Sequence, residues 1–93
     1  MMPAVAPITM YSTRFCPYCM RARQLLDSKG LPYVDIAVDG QPELRQKMES
    51  LSGRYTVPQI WIGDAHVGGF DDLWILDQRG QLDGLLAGAA PGE

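Results

Sequence analysis

Cys16 and Cys19 stand three apart around Pro17 and Tyr18, and they are the only cysteines in a chain of 93 residues. Two cysteines placed at random would meet at that spacing about one time in fifty, so accident explains the pattern poorly. A disulfide between them would close so small a ring that the loop-entropy model credits it with only roughly 2 kcal/mol. Such a bond cannot staple distant parts of the chain, so the fold has to rest on a hydrophobic core. With 46% hydrophobic residues the chain can build one such core and not two. Neighbouring thiols suit reversible chemistry better, one attacking a disulfide and the other resolving the intermediate.

The net charge of −3 offers no basic field for nucleic acid or an anionic membrane surface, although 8 Lys and Arg are available to cluster locally. Proteins or small molecules are the expected partners. No apolar run approaches the roughly 20 residues of a membrane-crossing helix. The stretch Met1-Met2-Pro3-Ala4-Val5-Ala6-Pro7 lacks the basic start and the longer apolar run of a signal peptide. A cytoplasmic location is therefore expected, where a closely spaced thiol pair is catalytic, redox-sensing or metal-binding rather than a permanent bridge.

Residues 1–7 read as a flexible leader and 88–93 as a flexible tail, with one domain over 8–87. Ile8 to Tyr11 is a strand candidate, and the turn Ser12-Thr13-Arg14 leads into the cysteines. Pro17 suits a first helical position. Cys19, Ala22, Leu25 and Leu26 then recur at helical spacing until Lys29-Gly30 supplies a stop. Tyr33 to Val38 reads as a second strand, closed by Asp39-Gly40. From Pro42 to Ser52, Leu44, Met48 and Leu51 form a helical stripe. Gln59 to Ile62 and His66 to Gly68, joined by Gly63-Asp64, predict a hairpin. Phe70, Leu73, Trp74 and Leu76 mark a helix ending near Gly80, and Leu82, Leu85 and Leu86 a short last one. The order βαβαββα plus a short C-terminal helix implies a layered α/β domain, parallel among the early strands and antiparallel among the late ones.

If the first helix begins at Pro17, Cys16 is its N-cap and Cys19 lies one turn in, so the two thiols are chemically unequal. Cys16 would face unpaired N–H groups and the positive end of the helix dipole, both of which favour thiolate over thiol. Arg14 and Arg21 are placed to add positive potential. Cys19, on the apolar stripe with Ala22 and Leu26, is suited to resolving a mixed disulfide. The competing reading is half of a zinc site, but four ligands are needed and His66 is the only further nitrogen or sulfur ligand. No metal is expected within one chain.

Cys16-Pro17-Tyr18-Cys19 resembles the active-site motif of dithiol glutaredoxins of the small bacterial kind. Thr56-Val57-Pro58 and Gly68-Gly69-Phe70-Asp71-Asp72 resemble two further blocks of that family, in the family's order. The likeness runs from about Ile8 to Leu86. It implies a thioredoxin-like fold, a four-stranded mixed sheet flanked by helices. It also implies glutathione as co-substrate, bound by Thr56, Val57, Pro58, Gly69, Phe70, Asp71 and Asp72. Pro58 read by itself is an ordinary trans proline at a strand entrance. The resemblance implies a cis bond that leaves the Val57 N–H and C=O free for the cysteinyl residue of glutathione. Asp71 and Asp72 read by themselves complement a helix N-terminus. The resemblance adds N–H groups near Phe70 and Asp71 for the γ-glutamyl carboxylate, and Asp72 for its ammonium.

The chain departs from the family at Thr13, where a lysine is common. Arg14 is the nearest substitute, although an exposed arginine is the plainer reading. Tyr18, Arg54 and Gln59 are further candidates for the site wall. Trp61 and Trp74 are expected to pack or cover the sheet, and His66 lacks a partner that would make it catalytic. The expected activity is glutathione-dependent reduction of glutathione mixed disulfides and protein disulfides, with Cys16 as nucleophile, Cys19 as resolver, and Pro17, Tyr18, Arg14 and Thr13 in support. A monomer is expected, recycled indirectly through glutathione reductase. Two rivals stand beside it: a dimer holding an iron–sulfur cluster through Cys16 and glutathione sulfurs, and a thioredoxin-like reductant served by a flavoenzyme.

Overall fold

The structure is a computed structural model that describes residues 6–88. The expected leader and tail fall outside it for residues 1–5 and 89–93. Ala6 and Pro7 are already bonded to the domain: the Ala6 N–H donates to the Leu86 carbonyl and the Pro7 carbonyl accepts from Gly63.

Eight elements follow in order: β1 Ile8–Ser12, α1 Pro17–Ser28, β2 Val34–Ala37, α2 Pro42–Ser52, β3 Gln59–Ile62, β4 Ala65–Gly68, α3 Phe70–Gln78 and α4 Leu82–Gly88. The four strands form one mixed sheet in the order β2-β1-β3-β4. β1 and β2 pair in parallel with Met10 opposite Asp35. β1 and β3 pair antiparallel with Met10 opposite Ile60, and β3 and β4 close the hairpin with Trp61 opposite His66. This is the layered α/β arrangement that the order of strand and helix signals implies, and the thioredoxin-like four-stranded mixed sheet that the family resemblance implies.

Side-chain alternation along the strands sorts the core into two layers. Ile8, Met10, Ile60 and Ile62 face Ala22 and Leu26 of α1, Leu73 of α3, and Leu82 and Leu86 of α4. Tyr11 faces the other way, onto Val38 and Met48, with Trp61 and Leu44 at the margin. α1, α3 and α4 therefore cover one face of the sheet and α2 the other. Burying the larger of these side chains contributes about 1.5–3 kcal/mol each.

The helix ends follow their local chemistry. Pro17 and Pro42 occupy first-turn positions of α1 and α2, where a missing N–H costs nothing. Gly30 and Gly53 close the same two helices at φ 68° and 72°, a left-handed conformation that side chains with a Cβ resist.

Two expectations of burial change. Leu51, on the predicted stripe of α2, is more than half exposed, because only Met48 of that helix reaches the sheet fully. Trp74 is also half exposed, because neighbouring Leu73 takes the fully buried position of α3. Trp61 does pack, edge-on to Tyr11 with ring centroids 5.5 Å apart.

Candidate functional site

The β1–α1 turn delivers Cys16 to the N-cap of α1 in an extended conformation, φ −95° and ψ 117°. Its Sγ accepts the Cys19 backbone N–H at 3.3 Å, so one of the orphan donors of the helix start is aimed at the sulfur. The thiol in turn donates to the Val57 carbonyl, 3.7 Å away. Cys16 is half-buried, whereas Cys19 is fully buried. Burial, then contact with Cys16, pushes the Cys19 thiol up to about 12; the Thr13 backbone and the Arg23 charge pull the other way. The two sulfurs are therefore unequal: one is half-exposed at the helix start, the other buried and held as a thiol. Both cysteines are free.

Beside Cys16 lies an open groove of about 200 Å³, lined by Tyr18, Arg54, Thr56, Val57, Pro58 and Gly69 to Asp72. The Val57–Pro58 bond is cis. Pro58 is buried while Thr56 and Val57 face the groove. On the opposite wall, Asp72 Oδ2 accepts the Gly69 N–H at 2.9 Å and lies 3.3 Å from Arg54 Nη1. One carboxylate oxygen thus starts α3 and also ties it to the loop before β3. A larger hollow, about 370 Å³, lies behind β4 against α3 and α4 and contains no cysteine. Volume alone does not select the site of interest, because Cys16 touches the smaller groove, through the carbonyl of its lining residue Val57.

The structure brings together most of the residues singled out from the sequence: Cys16, Cys19, Tyr18, Thr56, Val57, Pro58, Gly69, Phe70, Asp71 and Asp72, with Arg54 as a further wall. Pro17 sits at the helix start. The Arg21 guanidinium lies over the Tyr18 ring at 5.7 Å, so its charge stays at the rim.

Arg14 follows the plainer of its two readings, an exposed side chain that does not turn to the sulfur. Its Nε donates to Asp39 Oδ2 at 3.0 Å and its backbone N–H to the same oxygen at 3.5 Å, so the side chain is anchored on the end of β2. A carboxylate in reach outcompetes a half-buried sulfur for the guanidinium. Gln59 is not a wall either. It is buried, and its Nε2 donates to the Thr56 carbonyl at 3.1 Å and to Thr56 Oγ1 at 3.2 Å, bracing the loop from behind. His66 pairs with Gln59 Oε1 at 2.7 Å, an amide that gives it no acid–base role.

Three polar residues beneath the site escaped the sequence reading. Arg23 Nε donates to Asp35 Oδ2 at 2.6 Å, and Arg23 Nη2 to Ser12 Oγ at 2.9 Å and to the Thr13 carbonyl at 3.3 Å. Ser12 Oγ donates to Asp35 Oδ1. Arg23 falls four residues after Cys19 and so shares its helix face, a signal present in the sequence. The positions of Ser12 and Asp35 depend on strand register, which is not. Among the described residues no group of three or more His, Cys, Asp or Glu is placed to hold a metal, and no helix is long and apolar enough to cross a membrane.

The sequence model of the glutaredoxin family matches residues 8–67. The chain is 54% identical over 81 residues to a glutaredoxin of Pseudomonas aeruginosa, covering 87% of this chain and 96% of that one. The chain belongs to the glutaredoxin family. It is a glutathione-dependent thiol–disulfide oxidoreductase. The solution structure of glutaredoxin from Brucella melitensis superposes with a TM-score of 0.82 at 44% identity, over 96% of this chain and 97% of that one. A buckwheat glutaredoxin–glutathione complex superposes with a TM-score of 0.80 at 30% identity, over 87% of this chain and 76% of that one. The glutaredoxin motifs therefore sit on a glutaredoxin fold, and the groove beside Cys16 is where the family's chemistry is to be sought.

Proposed function

We propose that Cys16 exchanges disulfides with both glutathione mixed disulfides and protein disulfides, and that Cys19 resolves the second kind. The observation that carries this reading is the placement of the Cys16 sulfur, between a donated helix N–H at 3.3 Å and the Val57 carbonyl that edges the groove.

In the first reaction the Cys16 thiolate attacks the glutathione sulfur of a mixed disulfide, and the substrate thiolate leaves and takes a proton. A second glutathione attacks the glutathionylated Cys16, releasing glutathione disulfide and restoring the thiolate. Glutathione reductase then returns the disulfide to the pool. In the second reaction Cys16 forms a mixed disulfide with a target protein, and Cys19 displaces the target. The resulting Cys16–Cys19 disulfide is reduced by glutathione.

The groove supports a specific pose, in line with the buckwheat protein, which was solved with glutathione. The Val57 backbone would pair with the cysteinyl residue as a short added strand. Its carbonyl is held by the Cys16 thiol at rest, so loss of that proton opens it to the ligand. The N–H groups of Phe70 and Asp71 at the start of α3 would take the γ-glutamyl carboxylate. Asp72 uses Oδ2 for Gly69 and Arg54, which leaves Oδ1 for the ammonium. Tyr18 would flank the bound tripeptide, and Thr56, braced by Gln59, would hold the pairing edge. We place the protein as a monomer in the cytoplasm, where glutathione keeps such a dithiol reduced. The domain is taken as 8–87, with Ala6 and Pro7 bonded to its edge and Gly88 closing α4.

Two variants test the division of labour. Cys16→Ser is expected to abolish both reactions, whereas Cys19→Ser keeps deglutathionylation of a small mixed disulfide and loses reduction of protein disulfides. Equal loss of both activities in Cys19→Ser would sink it.

A further inference from the structure

Resolution asks more of Cys19 than its surroundings first suggest. The Cys19 thiol must lose its proton and attack the Cys16 sulfur. The bond from Cys16 to the bound partner then breaks, and the partner leaves as a thiolate that takes the proton. No outside oxidant or reductant enters. Negative charge nevertheless develops at a sulfur that water does not reach.

We propose that Arg23 is a positioning residue for this step: clamped by Asp35 and Ser12, it fixes the Thr13 backbone against Cys19 and presents a positive charge to the forming thiolate. The proposal rests on the resolving role of Cys19 proposed above. Three observations support it. Cys19 and Arg23 lie four apart on α1, so both side chains leave the same helix face. The Arg23 fork spans three elements, reaching Asp35 on β2, Ser12 on β1 and the Thr13 carbonyl in the turn between β1 and α1. Ser12 itself is fully buried and bonded to Asp35, so the clamp has a fixed seat.

The charges around the buried thiol have opposed effects. Burial and Cys16 raise it, while the Thr13 backbone and Arg23 lower it. Asp35 of β2 and Tyr33, just before that strand, bear on Arg23, and Asp27 on Tyr33. Arg23 is the one cation among the groups that bear on Cys19. A lysine at this place would keep the charge but could not hold Asp35, Ser12 and the Thr13 carbonyl with one planar fork.

An aromatic disulfide, bis(3-carboxy-4-nitrophenyl) disulfide, separates the steps without glutathione. Attack by Cys16 releases one coloured thiolate, and resolution by Cys19 releases the second. Stopped-flow absorbance across pH reads both phases in one trace. In Arg23→Gln the ratio of second-phase to first-phase rate is expected to fall at least about twofold near neutrality, and the second-phase inflection to move up. Arg23→Lys should keep the inflection and recover part of the rate, and it is the variant to read if Arg23→Gln fails to fold. Equal slowing of both phases, or an unmoved inflection with only a lower melting temperature, would overturn the proposal and leave Arg23 as a brace. Because the probe contains no glutathione, failure here is distinguishable from failure of the glutathione reading, which the Cys19→Ser assay decides.

Discussion

A methyl group at Gly68 would lie 2.3 Å from Asp72 Oδ2 and 3.1 Å from Arg54 Nη1, in a backbone at φ +116°. Both the conformation and the space are closed to a side chain, so Gly68→Ala must push Asp72 off the groove wall. It is expected to cost about 1–3 kcal/mol of stability and to raise KM for glutathione mixed disulfides, read by thermal melts and steady-state kinetics. His66 carries a pH signature. Burial first, and the Arg54 charge second, hold its imidazole below the ordinary 6.5. Between the folded and unfolded values the unfolded chain binds more protons, so this contribution is complete above about pH 6.5 and fades as pH falls further. Melting curves from about pH 7 down to about pH 5 should show a shallower loss in His66→Asn than in the parent. These residue-scale facts were unevenly readable beforehand. The Gly-Gly-Phe-Asp-Asp block is visible as a motif, but the clash that fixes its first glycine appears only in the folded chain, where Asp72 turns back over Gly68 and Arg54, from a different loop, closes the remaining space.

At the scale of elements, the turn between β1 and α1 is tied at both ends of its reach. Asp39, just beyond β2, holds Arg14 by backbone and side chain, and Arg23 on α1 holds the Thr13 carbonyl. The Arg14 guanidinium holds the Asp39 carboxyl below its ordinary 3.8. A carboxylate depressed in the fold stabilises above its unfolded value, and that stabilisation disappears as pH falls through the folded one. Asp39→Asn should therefore melt at a lower temperature than the parent near neutrality, with the gap closing below about pH 3.8. Arg14 is exposed and Asp39 only half-buried, so water screens the pair and the gap is expected to be small. The elements themselves were largely legible: Pro17 and Gly30 bracket α1, Pro42 and Gly53 bracket α2, and Gly63-Asp64 marks the hairpin. What could not be read was pairing register. It decides that Asp35 meets Arg23 and Ser12, and that Arg14 finds Asp39 instead of the sulfur.

Across the whole molecule, one sheet serves both layers of the core and carries the candidate site at one end of the strands. Leu26 and Met48 are fully buried on opposite faces. Replacing either with alanine is expected to cost about 2–5 kcal/mol and to shift a single cooperative melt, since neither layer can persist without the sheet between them. The architecture was readable from the order of strand and helix signals, because alternation and helical spacing both report burial. The site was readable mainly through its motifs, since a groove made by three loops has no local period. The depth of Cys19 has a consequence for anyone counting thiols. Under native conditions an alkylating agent such as iodoacetamide, which cannot couple to Cys16 and be displaced, should find one reactive group. In denaturant it should find two, and the interval between the two counts becomes a clock for the opening of α1 against the sheet.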